Sequence, residues 1–144
     1  MKLIIALLAL VGGSAVAVQS QINALLSKKV GLLESATVSF MVGALALFFV
    51  AFFFGKGNLL NVFTVPKWQL IGGLLGAFFI VISIFSVNLI GVAATFMAVI
   101  MGQILVGAII DHFGLFGGVA YPMNPTKFIA LGLMFIGIYM FNKA

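Results

Sequence analysis

Apolar residues run through this chain in long unbroken stretches, separated by short clusters of lysine, glycine, proline and asparagine. A transmembrane barrel strand would alternate polar and apolar positions over about ten residues. Stretches such as Ala44 to Phe54 are instead apolar on every side, which predicts helices. The punctuation divides the chain into five helical spans, about 3–28, 35–54, 68–87, 91–110 and 126–141.

The first span follows Lys2 and passes Ala15-Val16-Ala17, a combination that resembles a cleavable leader. Helix-forming residues continue from Gln19 to Leu26, however, with no break before Lys28-Lys29-Val30-Gly31. The expectation is one long helix and not a discarded leader, with lysines at its C-terminus and Gly31 as its cap. The second span opens with Glu34 and Ser35, where Glu34 reads as a partner for the helix dipole. It stops at Gly55-Lys56-Gly57-Asn58. Leu59 to Val65 is a mixed stretch suited to the membrane interface, and Pro66-Lys67-Trp68 starts the third span. Asn88 to Gly91 reads as a tight turn, and Asp111 to Asn124 as a glycine-rich loop. The fifth span holds roughly 16 residues, short for a hydrocarbon core of ~30 Å but tolerable with local thinning.

Composition turns five apolar helices into a membrane protein. Hydrophobic residues make up 65% of the 144 positions and charged residues 6%, against about a quarter charged in soluble domains. So few charges cannot wet a surface around that much apolar material. Disulfide scaffolds are excluded by the absence of cysteine, and disorder by the hydrophobicity. The fold class is all-α integral membrane, a single transmembrane domain over 1–144. The net charge of +5 comes from seven lysines against Glu34 and Asp111. The lysines stand one or two at a time between apolar runs, as markers of the bilayer boundary, and do not form a nucleic-acid surface.

Five spans place the termini on opposite sides. The N-terminal side holds Lys2, Lys56, Lys67 and Lys127, and the other side Lys28, Lys29 and Lys143. An excess of one lysine hardly orients the chain under the positive-inside rule. Two arrangements follow: a single weakly biased orientation helped by a partner, or dual topology with copies inserted both ways. An inverted pair, made with a second copy or an oppositely oriented paralogue, would rebuild an inverted-repeat transporter.

No acid or lysine lies near the middle of a span, which argues against a midplane counter-ion for charged substrates. The polar content is amide and hydroxyl. Gly12, Ala15, Gln19 and Asn23 share one face of the first helix, and Gln103, Gly107 and Asp111 follow i, i+4 spacing in the fourth. In the third, Trp68, Gly72, Gly76, Phe79 and Ser83 line up. Gly12, Gly72, Gly76, Gly102 and Gly107 are read as helix-packing positions, since glycine offers no ligand group. Gln19, Asn23 and Gln103, with Trp68 and Ser83, are the candidates for a substrate pathway. For the amides, helix packing explains the pattern as well, because an amide in hydrocarbon must find some partner. For Trp68 the competing role is an interface anchor beside Lys67. Counting ~1.5 Å per residue, Gln19 lies ~24 Å from the N-terminal side and Gln103 ~10 Å. In an inverted pair across a ~30 Å core, Gln19 of one copy and Gln103 of the other would sit at similar depths.

Asp111-His112 closes the fourth span. One role is a hydrated helix end with Asp111 held by backbone donors of the glycine loop. The other is proton coupling, because imidazole titrates near neutrality and a carboxylate can accept its proton. One histidine and two separated acids do not converge on a metal. No phosphate loop, nucleophile with base, or paired carboxylate is present, so neither enzyme chemistry nor a cofactor is expected.

The stretch from Gly12-Gly13-Ser14 through Gln19-Ser20-Gln21-Ile22-Asn23 to Leu26, with Val30-Gly31 after it, resembles a known family. So do Ser39-Phe40-Met41-Val42-Gly43, Pro66-Lys67-Trp68-Gln69, Gly72-Gly73-Leu74-Leu75-Gly76-Ala77, Gly102-Gln103 and Asp111-His112-Phe113-Gly114. The ordered set is similar to the YdcZ-type five-helix proteins of the drug/metabolite transporter superfamily, over nearly the whole chain. The resemblance implies a bacterial inner-membrane protein whose five-helix units assemble antiparallel into a ten-helix transporter body. It singles out Gln19, Asn23, Trp68, Gln103, Asp111 and His112, and brings no defined substrate. Smaller four-helix relatives use a membrane-embedded glutamate in their first helix. This chain has none there, which argues against proton-coupled cation export by that mechanism.

The leading expectation is a small secondary carrier, an antiparallel homodimer moving a small organic solute by alternating access. A structural or accessory membrane subunit, whose amides only hold helices together, is the alternative. A passive pore fits less well, because five apolar helices offer so few polar lining groups.

Overall fold

The computed structural model describes residues 1–143, apart from the side chain of Asn142. Its elements are helical throughout: α1 (Lys2–Val30), α2 (Leu32–Phe54), α3 (Ile71–Ile90), α4 (Val92–Phe113) and α5 (Pro125–Lys143). Short 3-10 turns cover Leu59–Phe63, Lys67–Leu70 and Leu115–Gly117. No strand occurs among the described residues. Four helical stretches are long and apolar enough to cross a membrane: Lys2–Val30, Leu32–Phe54, Lys67–Ile90 and Val92–Phe113. The fifth apolar helix, Pro125–Phe141, is shorter, and at 1.5 Å per residue reaches about 25 Å.

Several boundaries differ from the pattern-based ones, most of them by extension of a helix. The helix α1 runs unbroken past Ala17 and ends at Gly31, where the lysines and glycine had placed it. The helix α2 begins three residues earlier than expected, so Glu34 falls in its first turn. Between α1 and α2 stands the single residue Gly31, with φ +105° and ψ 160°, a conformation open only to glycine. Asn88 to Gly91 is not a turn. The helix α3 continues through Asn88 to Ile90, and Gly91 (φ +81°, ψ 170°) alone separates it from α4. Asn88 stays helical while its amide donates to Ser27 Oγ on α1, at 2.9 Å. Asp111 and His112 likewise lie inside the last turn of α4, which runs on to Phe113 and is capped by left-handed Gly114. Pro66 precedes a 3-10 turn, and α3 proper begins only at Ile71.

Two compact units form, Met1–Leu89 and Ile90–Ala144. In the first, Ala36 of α2 packs with Ile80 and Ile84 of α3, flanked by Leu32 and Val81. Most large apolar side chains point outward instead, including Phe48, Phe49, Phe52, Phe53 and Phe54. That is the arrangement of helices solvated by lipid, where apolar surface gains little by turning inward. In the second unit α4 packs against α5 and against the 3-10 turn that follows α4.

Candidate functional site

Where α1 and α2 meet, polar side chains concentrate in the first unit. Ser35 is fully buried and its Oγ donates to the backbone carbonyl of Asn23 at 2.8 Å. One turn further along α2, Ser39 Oγ accepts from Asn23 Nδ2 at 3.1 Å and from Gln19 Nε2 at 3.4 Å. The pairs Gln19/Asn23 and Ser35/Ser39 each follow i, i+4 spacing, so two polar stripes on facing helices interlock. Asn23 is 4% exposed although it sits in a membrane-length helix. An amide there is costly unless satisfied, and the Ser39 hydroxyl supplies the partner.

A groove of about 600 Å³ opens beside this cluster, lined by Ala15, Gln19, Asn23, Val38, Ser39 and Gly43 among others. Its walls are otherwise aliphatic and carry no formal charge. With both amide nitrogens donating to Ser39, the carbonyl oxygens Oε1 of Gln19 and Oδ1 of Asn23 accept no hydrogen bond from a described residue. The groove therefore offers acceptors at fixed positions in an apolar channel, the usual composition of a site for a small organic molecule. The neighbouring groove between α2 and α3 is different in kind. Thr37 is its one hydroxyl, and its Oγ1 is already bonded to the Leu33 carbonyl at 2.9 Å.

The other expected site residues are placed as follows. Gln19 and Asn23 come together; Trp68 and Ser83, in the same unit, do not join them in the groove. Trp68 belongs to the 3-10 turn Lys67–Leu70 and is about half exposed. Ser83 is 1% exposed on the face of α3 that also carries Ile80, Ile84 and Val87, and its Oγ has no hydrogen-bond partner among the described residues. Gln103 lies exposed on α4. Among the glycines assigned to packing, Gly76 meets a neighbour: a Cβ there would stand 3.4 Å from Cζ of Phe40. Side chains at Gly12, Gly72, Gly102 or Gly107 would meet nothing within 4 Å.

At the end of α4 the glycine loop folds back, but not onto the Asp111 carboxylate. Tyr121 N donates to the Asp111 backbone carbonyl at 2.7 Å, and Met123 N donates to Nδ1 of His112 at 3.0 Å. Consecutive residues on a helix point about 100° apart, and the two side chains open on different cavities. Asp111 lines one with Gly107 and Lys127, and His112 another with Phe113 and Phe128. No hydrogen bond joins them. Among the described residues no cluster of three or more histidine, cysteine or acidic side chains is present.

Ser39 is the member of the site that sequence reasoning left out. Its signal was available: it stands four residues after Ser35 in a helix otherwise almost wholly apolar, matching the Gln19/Asn23 spacing on the helix before it.

No curated protein and no solved structure matches this chain. A protein family does, over residues 4–140, and it carries the description "Putative inner membrane exporter, YdcZ". With that match over nearly its whole length, and with its membrane-length helices, the chain belongs to this family and is a multi-pass inner-membrane protein.

Proposed function

We propose that this protein is a small carrier of the drug/metabolite transporter type, exporting an uncharged organic solute by alternating access, and that two oppositely inserted copies form the working unit. The observation that supports this most directly is the α1–α2 groove, in which Gln19, Asn23 and Ser39 place polar atoms along an uncharged, largely aliphatic cavity. A groove without a charge is poorly suited to an ion, whose desolvation nothing there would offset. The near-even lysine balance supports the inverted pair, since it leaves neither orientation favoured. Gln103 then enters from the second copy, at a depth close to that of Gln19. Asp111 and His112 have no direct link, and this mechanism routes no proton between them.

The test has two parts. Cells overproducing the protein should lose a neutral metabolite from the cytoplasm, and Asn23→Leu should restore its level while the variant still reaches the membrane. Full depletion by Asn23→Leu would end the groove's role. A single cysteine at Ala144, labelled in intact and then in lysed cells, reads orientation: about half labelled from outside supports the inverted pair, and all or none rejects it.

The bonds from Gln19 and Asn23 to Ser39 also join α1 to α2, which favours a second reading as an accessory subunit. Under that reading Asn23→Leu would weaken the protein in detergent and alter no metabolite.

A further inference from the structure

Asp111 and Lys127 line the same cavity in the second unit, about 360 Å³ in volume, yet they form no ion pair. Asp111 is in the last turn of α4 and Lys127 in the first turn of α5, so both charges stand at one end of the helix pair. From there the cavity runs inward along α4 to Ile104 and along α5 to Met134, about 10 Å at 1.5 Å per residue. Its inner wall, with Gly107, Ala108 and Ala130, is apolar and low in relief. Lys127 Nζ spends one donor on the Pro122 carbonyl at 3.2 Å, which fixes the ammonium at the rim and leaves further donors available. The Asp111 carboxylate accepts no hydrogen bond from a described residue; only its backbone carbonyl is engaged, by Tyr121.

The cavity is thus an acceptor and a cation at headgroup depth, with a hydrocarbon slot beneath them. We infer that it holds a phospholipid with a primary-ammonium headgroup, phosphatidylethanolamine in kind. The ammonium donates to Asp111, the phosphodiester accepts from Lys127, and the first part of an acyl chain lies against Gly107, Ala108 and Ala130. A primary ammonium brings Asp111 both a positive charge and N–H donors while the phosphodiester takes Lys127; phosphatidylglycerol offers Asp111 hydroxyl donors without the cation, and a quaternary ammonium offers the cation with no N–H to give. This site is separate from the α1–α2 groove and does not rest on the carrier reading.

The full chain is reconstituted in bilayer nanodiscs holding equal amounts of phosphatidylethanolamine, phosphatidylglycerol and phosphatidylcholine, then released gently and weighed with its retained lipid by native mass spectrometry. The expected result is a roughly fivefold preference for phosphatidylethanolamine over either of the others, the size of one charge-assisted contact at a wet boundary. Asp111→Asn should bring phosphatidylethanolamine down to the level of phosphatidylglycerol. Lys127→Gln should lower those two together. Equal retention of all three lipids by the unaltered protein overturns the inference. So does a preference that survives Asp111→Asn. If the two side chains serve only each other, both variants would lose stability equally in every lipid, and that too would overturn it.

Discussion

Ser35 Oγ and the carbonyl of Asn23 are joined at 2.8 Å with Ser35 wholly buried, so α2 approaches the α1 backbone itself at this level. The contact leaves no room for a larger side chain on α2. Ser35→Ala removes one hydrogen bond and should cost about 1 kcal/mol. Ser35→Leu must push the helices apart and should cost about 3 kcal/mol. Unfolding in mixed micelles would rank the two, and equal costs would place the helices further apart than described here.

Ser39 is the shared acceptor of the Gln19 and Asn23 amides. Ser39→Ala leaves both donors unpartnered beside the groove and should cost about 1–2 kcal/mol. On the carrier reading it should also abolish the metabolite depletion caused by overproduction, and Ser39→Thr, which keeps the hydroxyl, should preserve it. Depletion by the alanine variant at the normal level would separate the cluster from solute movement.

Gly31 adopts φ +105° and ψ 160°, and the Glu34 carboxylate folds over the position a Cβ would take. Gly31→Ala should therefore cost about 2 kcal/mol from backbone strain alone. Adding Glu34→Ala should relieve the collision and not the strain, so the double variant should recover only part of the loss in the same unfolding measurement.

The bond from Met123 N to His112 Nδ1 requires an unprotonated nitrogen at that position. His112→Phe removes the acceptor, and amide hydrogen exchange at Met123 should quicken about fivefold, the equivalent of ~1 kcal/mol. His112→Asn can still present an oxygen acceptor and should stay closer to the unaltered rate.

Particular residues explain which features were legible in the sequence. The Lys28-Lys29-Val30-Gly31 punctuation located the end of α1 because charge and glycine both oppose continuation there. Asn88 misled, since asparagine favours turns in general but here finds Ser27 across the helix pair and remains helical. Asp111-His112 closes the fourth span in the sequence with the loop expected from Asp111 onward, whereas Gly114 is the residue whose left-handed backbone ends the helix. Two of the three polar residues of the groove, Gln19 and Asn23, are legible from spacing, because amides are conspicuous in hydrocarbon. Ser39 is not, because a serine passes as a small packing residue until the facing amides are known. Glycine spacing carried the least: Gly72 and Gly76 look alike in the sequence, and only the Phe40 ring distinguishes them.

The single-residue joints at Gly31 and Gly91 have a practical consequence. A protease must draw several residues into an extended strand before it can cut, and neither joint supplies more than one residue outside a helix. Digestion of membranes holding this protein should therefore nick it only within 55–70 and 114–124, and the same two stretches are where an inserted epitope or a new chain terminus would be accepted.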